Sequence, residues 1–445
     1  MLQITDFPGR FEAQPFEPEF FRLRQTVESD CDNWGRDDLN MGIQAMTKKY
    51  ALSMGGILGA AFLSLAIPAF AYPTVVNQGM TILKPGVQPG YVMFGAPDGI
   101  VYLVNTQGQV VKKWTSPEPN SSLGYTRPLP NGNLLGRIQK KEADGSLAET
   151  GGADIFEMTQ GGKVVWKYSD HERMLHHDQE RMFNGNTMIA CSKEIRVAAI
   201  SKTSLKDDCV IEVDSTGKVV WEWQTADHFD ELGLSAEARA TIAAGREVKG
   251  GWDWAHVNAA SPIPATTGHT DPRFKPGNVM ISYRNLNTIV VVDRESKKIV
   301  WKAGITIGQH NVHMLPAGVP GAGNVLVFDN GGIPPNSNPQ RAFARPNSRV
   351  LEINPFTMST VSEYNAEKSG RPIWTFFSHF ISSAQRQPNG NTLICEGANG
   401  RFFEVTPTGE IVWEYVNPFT NESNGIRTNQ VFRAAKVSES WLNPA

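Results

Sequence analysis

"VIEVDSTGKVVWEW", residues 210 to 223, reads as two short strands around a turn at Gly217, closing on an aromatic-rich pair. Apolar and polar residues alternate with period two on both sides of the turn, the signature of a β-hairpin with one buried face. The stretch decides the fold because it recurs. "VYLVNTQGQVVKKW" ends at Trp114, "IFEMTQGGKVVWKY" at Tyr168, "TIVVVDRESKKIVWKAG" at Gly304, "VLEINPFTMSTVSEY" at Tyr364 and "RFFEVTPTGEIVWEY" at Tyr415, which makes six copies of one unit.

A second element follows each hairpin after a variable gap: "RPLPNGNLLGRI", "ERMFNGNTMIAC", "GNVMISYRN", "MLPAGVPGAGNVLVFDN", "QRQPNGNTLICEG" and, near the chain end, "NQVFRAAKV". Three of them carry Asn-Gly steps suited to tight turns that need positive φ, so each reads as a second hairpin leading to the next repeat. Four strands per unit, six times over, specify sheets packed radially around a channel, with the chain end able to supply the strand that closes the ring. The expected fold is all-β, a six-bladed β-propeller of four-stranded antiparallel blades over residues 72 to 445. Two long insertions, 227 to 250 with a helical middle and 331 to 348, sit in connections, where long loops usually serve function.

Composition narrows the function classes. The chain has 445 residues, 40% hydrophobic and 20% charged, a globular balance rather than a disordered one. A net charge of -3 and a pI near 6.3, with no Lys/Arg cluster interleaved with aromatics, exclude nucleic acid as a natural partner. Upstream, "MTKKYALSMGGILGAAFLSLAIPAFAYP" opens at Met46 with Lys48 and Lys49, runs apolar from Met54 to Ile67 and closes on Ala69-Phe70-Ala71. That order describes a secretory signal peptide over 46 to 71, cleaved after Ala71, which leaves no stable membrane span and sends the protein to the periplasm or outside the cell. An uncleaved anchor is the alternative, though the apolar stretch is short and Pro68 interrupts it. Residues 1 to 45 have no clear periodicity and read as a leader ahead of a true start at Met41 or Met46, or else as a cytoplasmic tail. Cys191 and Cys209, 18 residues apart, either bridge neighbouring strands in an oxidising compartment or stay reduced beside Cys395.

The innermost strands of a propeller converge on its channel, so residues far apart in sequence can make one site. Alignment on the "NGN" turn or its substitute puts His177, His256 and His310 at equivalent positions, with His379 three residues off register and Arg427 in the sixth unit. Strand alternation sets His313 opposite His310 and His176 opposite His177, leaving His177 and His310 inward. Neutral imidazoles in a ring can ligate Zn or Cu, or act as nucleophile and proton donor. Asp178 faces away in its strand and no other carboxylate falls reliably inward, which disfavours paired-carboxylate glycoside hydrolysis. There is no nucleophile elbow, Walker loop or dinucleotide fingerprint.

"GMTILKPGVQPGYVMFG", "YLVNTQGQVVKKW", "GWDWAHVN", "ISYRNLNTIVVVDRESKKIVWKAG", "GQHNVHMLPAG", "VFDNGG" and "SRVLEINP", in that order from Met80 onward, resemble the bacterial arylsulfotransferases, periplasmic six-bladed propellers. The resemblance implies sulfuryl transfer from a phenolic sulfate ester to a phenolic acceptor through a sulfated histidine, without nucleotide donor, metal or other cofactor. By motif, His256 in "WAHVN" and His310 in "GQH" match family active-site histidines, assigned to sulfonate binding and proton transfer, and His379 is the candidate nucleophile. His177 and Asn311 join them as substrate-binding residues. The family's sulfonate-clamping arginine follows a "DNG" segment, whereas here "FDNGG" runs into Ile333-Pro334-Pro335, so Arg349 and Arg427 are the candidate substitutes. Arg284 in "SYRNLN" reads as a loop brace, and the tryptophans closing each unit as packing between blades. The separate N-terminal β-domain of better-known members is missing.

Two rival readings remain: an exported, non-catalytic propeller that binds a small ligand or metal in its histidine-lined channel, and a metal- or quinone-dependent oxidoreductase, against which stands the count of six blades rather than eight. N-terminal sequencing of exported protein is expected to start at Tyr72, and a chain retaining Met1 would refute the cleavage.

Overall fold

Each repeat forms the two hairpins that its alternation predicts. The computed structural model describes residues 78–140, 153–265, 270–332, 344–423 and 425–442; the expected leader over 1 to 45 and the expected signal peptide over 46 to 71 lie outside them. From the channel outward, blade 2 comprises Ser121–Pro128, Leu134–Lys140, Asp154–Met158 and Val164–Tyr168. Blade 3 comprises Met174–Arg181, Thr187–Ile195, Leu205–Val213 and Val219–Gln224. Blade 4 is Val257–Pro262, Val279–Tyr283, Thr288–Asp293 and Lys298–Ala303, and blade 5 is His310–Met314, Val325–Asp329, Arg349–Ile353 and Thr360–Tyr364. Blade 6 is Ser383–Arg386, Thr392–Glu396, Arg401–Val405 and Ile411–Val416, with Gly79–Leu83 added outside as a fifth strand.

Ring closure follows the expectation. Ala434–Val437 from the chain end pairs with Tyr91–Gly95 as the innermost strand of blade 1, whose outer strands are Val101–Val104 and Val110–Trp114. The 227 to 250 insertion carries a helix, Ala236–Ala244, whose N-cap Ser235 accepts a hydrogen bond from the amide of Ala238 at 3.1 Å.

The apolar core lies between blades rather than along the axis. One cluster packs Trp223 of blade 3 against Tyr283 of blade 4, and another packs Phe402, Trp413 and Tyr415 of blade 6 against Phe94 of blade 1. Outer-strand tryptophans also donate their indole N–H across the same gaps to the turn of the following blade. Trp114 reaches the carbonyl of Gln160, Trp221 that of Arg294, Trp301 that of Pro355 and Trp413 that of Thr106, at 2.8 to 2.9 Å.

A second device repeats beside it. In blades 2, 3, 5 and 6 the third strand carries a glutamate, which binds asparagines of its own blade's inner hairpin and a cation from the next blade. Glu157 takes Asn131, Asn133 and Arg181; Glu212 takes Asn184, Asn186 and Arg294. Glu352 takes Asn324 and Arg386; Glu404 takes Asn391, the amide of Gln88 and Lys436. The "NGN" signature thus supplies both the turn and the side chains that hold a buried carboxylate.

Cys191 and Cys209 face each other in register on adjacent strands of blade 3 and are joined as a disulfide, while Cys395 is free and buried.

Lys436 sits on the closing strand with its side chain 2% exposed, 2.5 Å from a fully buried Glu404. Removing one partner of a buried pair typically costs about 3–5 kcal/mol. Lys436→Ala is therefore expected to lower the denaturant midpoint strongly, and Lys84→Ala, which breaks the exposed pair with Glu410, to leave it nearly unchanged.

Candidate active site

The inner strands do not run as regular ladders. Register shifts interrupt those of blades 2, 3, 4 and 5 where they enter the channel. His177, His256, Asn311 and Ile381 take left-handed φ of 53°, 56°, 50° and 50°, a conformation that costs about 1–3 kcal/mol per non-glycine residue and persists where the fold imposes it. A bulge resets which face a side chain uses. His176 and His177, expected on opposite faces, consequently meet with their Nδ1 atoms 2.8 Å apart. The strict alternation assumed for this pair fails for that reason.

The bulges also revise the alignment of the histidines. Counted back from the residue that closes the inner hairpin, His177 precedes Met182 by five positions and His310 precedes Leu315 by five, but His256 precedes Ile263 by seven. Nevertheless His177 and His256 converge, their rings edge to face with centroids 4.7 Å apart.

His256 is oriented by an aspartate. A short strand, Trp252–Asp253, pairs in parallel with Leu205 and Lys206 and sets Asp253 Oδ2 2.5 Å from His256 Nδ1. Burial pushes the Asp253 carboxyl up, but the neighbouring His256 and Lys206 hold it below the usual carboxylate range. An ionised Asp253 fixes the Nδ1–H tautomer and leaves the lone pair on Nε2, which is buried without a hydrogen-bond partner among the described residues. A second relay stands behind His177, because His176 Nε2 lies 3.2 Å from Asp208 Oδ1. Burial, reinforced by Asp253, raises the Asp208 carboxyl to about 7.

Two arginines flank these rings. Arg284 donates its backbone N–H to the carbonyl of His256 at 3.0 Å and its Nε to Asn285, leaving both Nη groups without a partner among the described residues. Arg137, 9% exposed on the second strand of blade 2, makes no side-chain hydrogen bond or ion pair there at all. Burial pushes each guanidinium down to about 10. Their positive charge in turn depresses the histidines: burial is the largest cause, with Arg137 acting on His176 and His177, and Arg284 on His256, His310 and His379. All five imidazoles are held below 6.5 and are neutral at pH 7. The Asp253 and Asp208 carboxyls act on Arg284 and Asp178 acts on Arg137, but none is hydrogen-bonded to them, and guanidinium donors left unused beside neutral imidazoles suit an anion.

The remaining sequence candidates divide. His310 is 1% exposed, with Nδ1 facing Asn330 Oδ1 at 2.8 Å and Nε2 accepting from the amide of Ile381 at 3.1 Å. Both ring nitrogens are occupied, so in this structure it pins blade 5 to blade 6. His379 is exposed and packed on Phe380, with no side-chain hydrogen bond among the described residues to orient it. Arg349 is consumed by Asp329 and Glu363. Arg427 lies 72% exposed on a separate two-stranded ribbon beside Glu422. Neither substitutes for the family arginine at the histidine cluster, because each points its charge elsewhere. Asn311 accepts from the amide of Ala384 and opens on a different cavity.

Sequence reasoning missed Arg137, Asp253, Asp208 and the part played by Arg284. A charge within the apolar strand "LLGRI" and an aspartate three residues before a histidine were the available signals. Among the described residues no group of three or more His, Cys, Asp or Glu side chains is placed to hold a metal ion, and no helix is long and apolar enough to cross a membrane.

A six-bladed propeller with imidazoles and unpaired arginines at its channel is a scaffold for anionic small-molecule chemistry. The chain belongs to the arylsulfotransferase (ASST) family, which it matches over residues 130–418. Membership implies an enzyme of the sulfotransferase type acting between aryl substrates. Among curated proteins no relative is found. Among solved structures it is similar to a protein of unknown function from Bacteroides caccae, at 12% identity and TM-score 0.48, covering 79% of this chain and 100% of that one. It is also similar to virginiamycin B lyase from Staphylococcus aureus, at 10% identity and TM-score 0.37, covering 77% and 90%.

Burial holds His176 near 3 and His313 near 4, against an ordinary 6.5. Between those values the unfolded chain binds protons that the folded chain refuses, so stability is complete above pH 6.5 and falls as pH drops toward 4, by about 1.4 kcal/mol per pH unit for each histidine. Denaturant titrations from pH 7 to 4 should show that decline, and His313→Gln should shallow it by about one such increment; an unchanged slope would refute the burial of a neutral ring there.

Proposed function

We propose that the protein transfers a sulfuryl group from a phenolic sulfate ester to a phenolic acceptor through a sulfated His256. The observation that carries the reading is the Asp253–His256 pair, whose Nε2 has no hydrogen-bond partner among the described residues: the charge of Arg284 acts on this ring, and that of Arg137 on the His177 ring packed against it.

The chemistry balances. The Nε2 lone pair of His256 attacks sulfur, the ester S–O bond breaks and the phenolate departs, with Arg137 and Arg284 compensating charge on the sulfonate oxygens. The acceptor's phenolic oxygen then attacks sulfur, the N–S bond breaks and the phenolic proton passes to the neutral His177. His177 returns that proton to the next departing phenolate. Asp253 holds the tautomer that the attack requires. His379, assigned the nucleophile's role from sequence, is exposed and is proposed instead to meet the aryl group of the substrate. We further propose an extracytoplasmic location, supported by the segment at 46 to 71 and by the Cys191–Cys209 bridge.

Intact mass after brief incubation with 4-nitrophenyl sulfate tests this. A sulfuryl adduct is expected in the wild type and in His379→Ala, and none in His256→Ala; Arg284→Ala is expected to reduce turnover about 10²-fold or more. Loss of the adduct in His379→Ala alone would return the nucleophile's role to His379. Absence of both adduct and turnover in the wild type would favour the non-catalytic reading.

A further inference from the structure

The channel holds a second compartment. At the hairpin end of the inner strands is a cavity of about 580 Å³, within the usual range for small-molecule sites, and none of His177, His256, Arg137 or Arg284 lines it. Aromatic side chains separate it from the histidine cluster. Tyr125 lines the cavity and packs on Phe432 at 5.4 Å, and Phe432 contacts the ring of His177 at 5.7 Å on its other side. Arg433 stiffens this partition, lying 5.1 Å from the Tyr125 ring and 5.0 Å from that of Phe432.

Its electrostatics are the reverse of those at the histidine end. Arg127 is bound by Asp178 and Glu180, at 2.8 and 3.0 Å, and Arg433 by Asp178 at 2.7 Å. The other three wall cations, Arg181, Arg386 and Lys436, each belong to a glutamate that latches two blades together. No cation of this wall is left for an anion, so an aryl sulfate would be desolvated here without a counter-charge. Between the ion pairs the wall is apolar, with Met182, Ile263, Met314 and Leu315, and Phe183 stands at it 62% exposed. A large exposed ring beside an apolar cavity marks a contact surface. A polar group is available for orientation: His313 lines the cavity, its Nδ1 is 3.1 Å from the carbonyl of Asn311, and its Nε2 makes no bond among the described residues. Burial keeps that ring neutral, near 4.

We infer that this cavity is a second binding site, separate from the histidine cluster, for an uncharged aromatic molecule bearing one hydroxyl, with its ring against Phe183 and Met182 and its O–H donating to His313 Nε2. The inference does not rest on sulfuryl transfer. Its site is electrically balanced where the other is cationic, and an occupant would bear through Tyr125 and Phe432 on His177.

Isothermal titration of the wild-type chain with 1-naphthol tests it, with saturating inorganic sulfate as the competing probe for the cationic end. Saturable binding is expected, unchanged within about twofold by sulfate or by Arg284→Ala. It should weaken about tenfold or more in Phe183→Ala, a loss equivalent to about 1.4 kcal/mol. Ala265→Trp, at an exposed cavity residue outside the strands, should block the mouth and weaken binding likewise. No saturable binding, displacement by sulfate, loss in Arg284→Ala, or indifference to both wall variants would each overturn the assignment. Failure of sulfuryl transfer in the mass experiment would leave it standing.

Discussion

A carboxylate buried in the third strand of a blade is the constraint around which much of this molecule is arranged. Glu157, Glu212, Glu352 and Glu404 cannot sit in a low-dielectric sheet unless every oxygen is answered. The answer comes from both directions: asparagines of the same blade's hairpin and an arginine or lysine of the next. Because the cation belongs to the neighbouring sheet, satisfying the charge also sets the angle between blades. Arg181, Arg386 and Lys436 lie on the inner strands, so the same bond places those strands at the channel. Blades 1 and 4 lack the glutamate, and there the tryptophan indoles of Trp114 and Trp301 still tie outer strand to following turn.

The six hairpins were legible because period-two alternation reports directly on burial. "NGN" marked its turns because only a narrow set of residues accepts that backbone. Strand closure by the chain end followed from counting. The helix in the 227 to 250 insertion was visible for the same reason, a local pattern with a local cause. The site was legible in residue type but not in arrangement. His177 and His256 were found, yet the bulges that bring them together leave no periodic trace, and they are the reason His176 joins them. Arg349 and Arg427 looked suitable by proximity along the chain, but a guanidinium serves whichever carboxylate it meets first, and that is decided by tertiary packing. Arg137 escaped notice because an isolated charge in an apolar strand becomes meaningful only once no hydrogen bond or ion pair is found for it among the described residues.

The two ends of the channel divide the work of stability and chemistry differently. At the hairpin end every cation is neutralised, and the result is rigidity. At the other end two guanidiniums stay unpaired and several histidines stay unprotonated, an arrangement that costs stability and lasts only because the surrounding blades enforce it. The left-handed residues in the channel mark the same expenditure in the backbone, with Ile381 a β-branched example held between a pinned imidazole and its own strand.

The closing strand has a consequence for how the chain is made. Tyr91–Gly95 is synthesised long before its inner partner, Ala434–Val437. At typical rates of translation the interval between them is roughly 20 to 70 s. Throughout that time the first blade presents an open apolar edge of the kind that recruits other strands. A chain of this design therefore closes its ring only after Ala434–Val437 has been made, and until then the inner side of the first blade stays open to other strands.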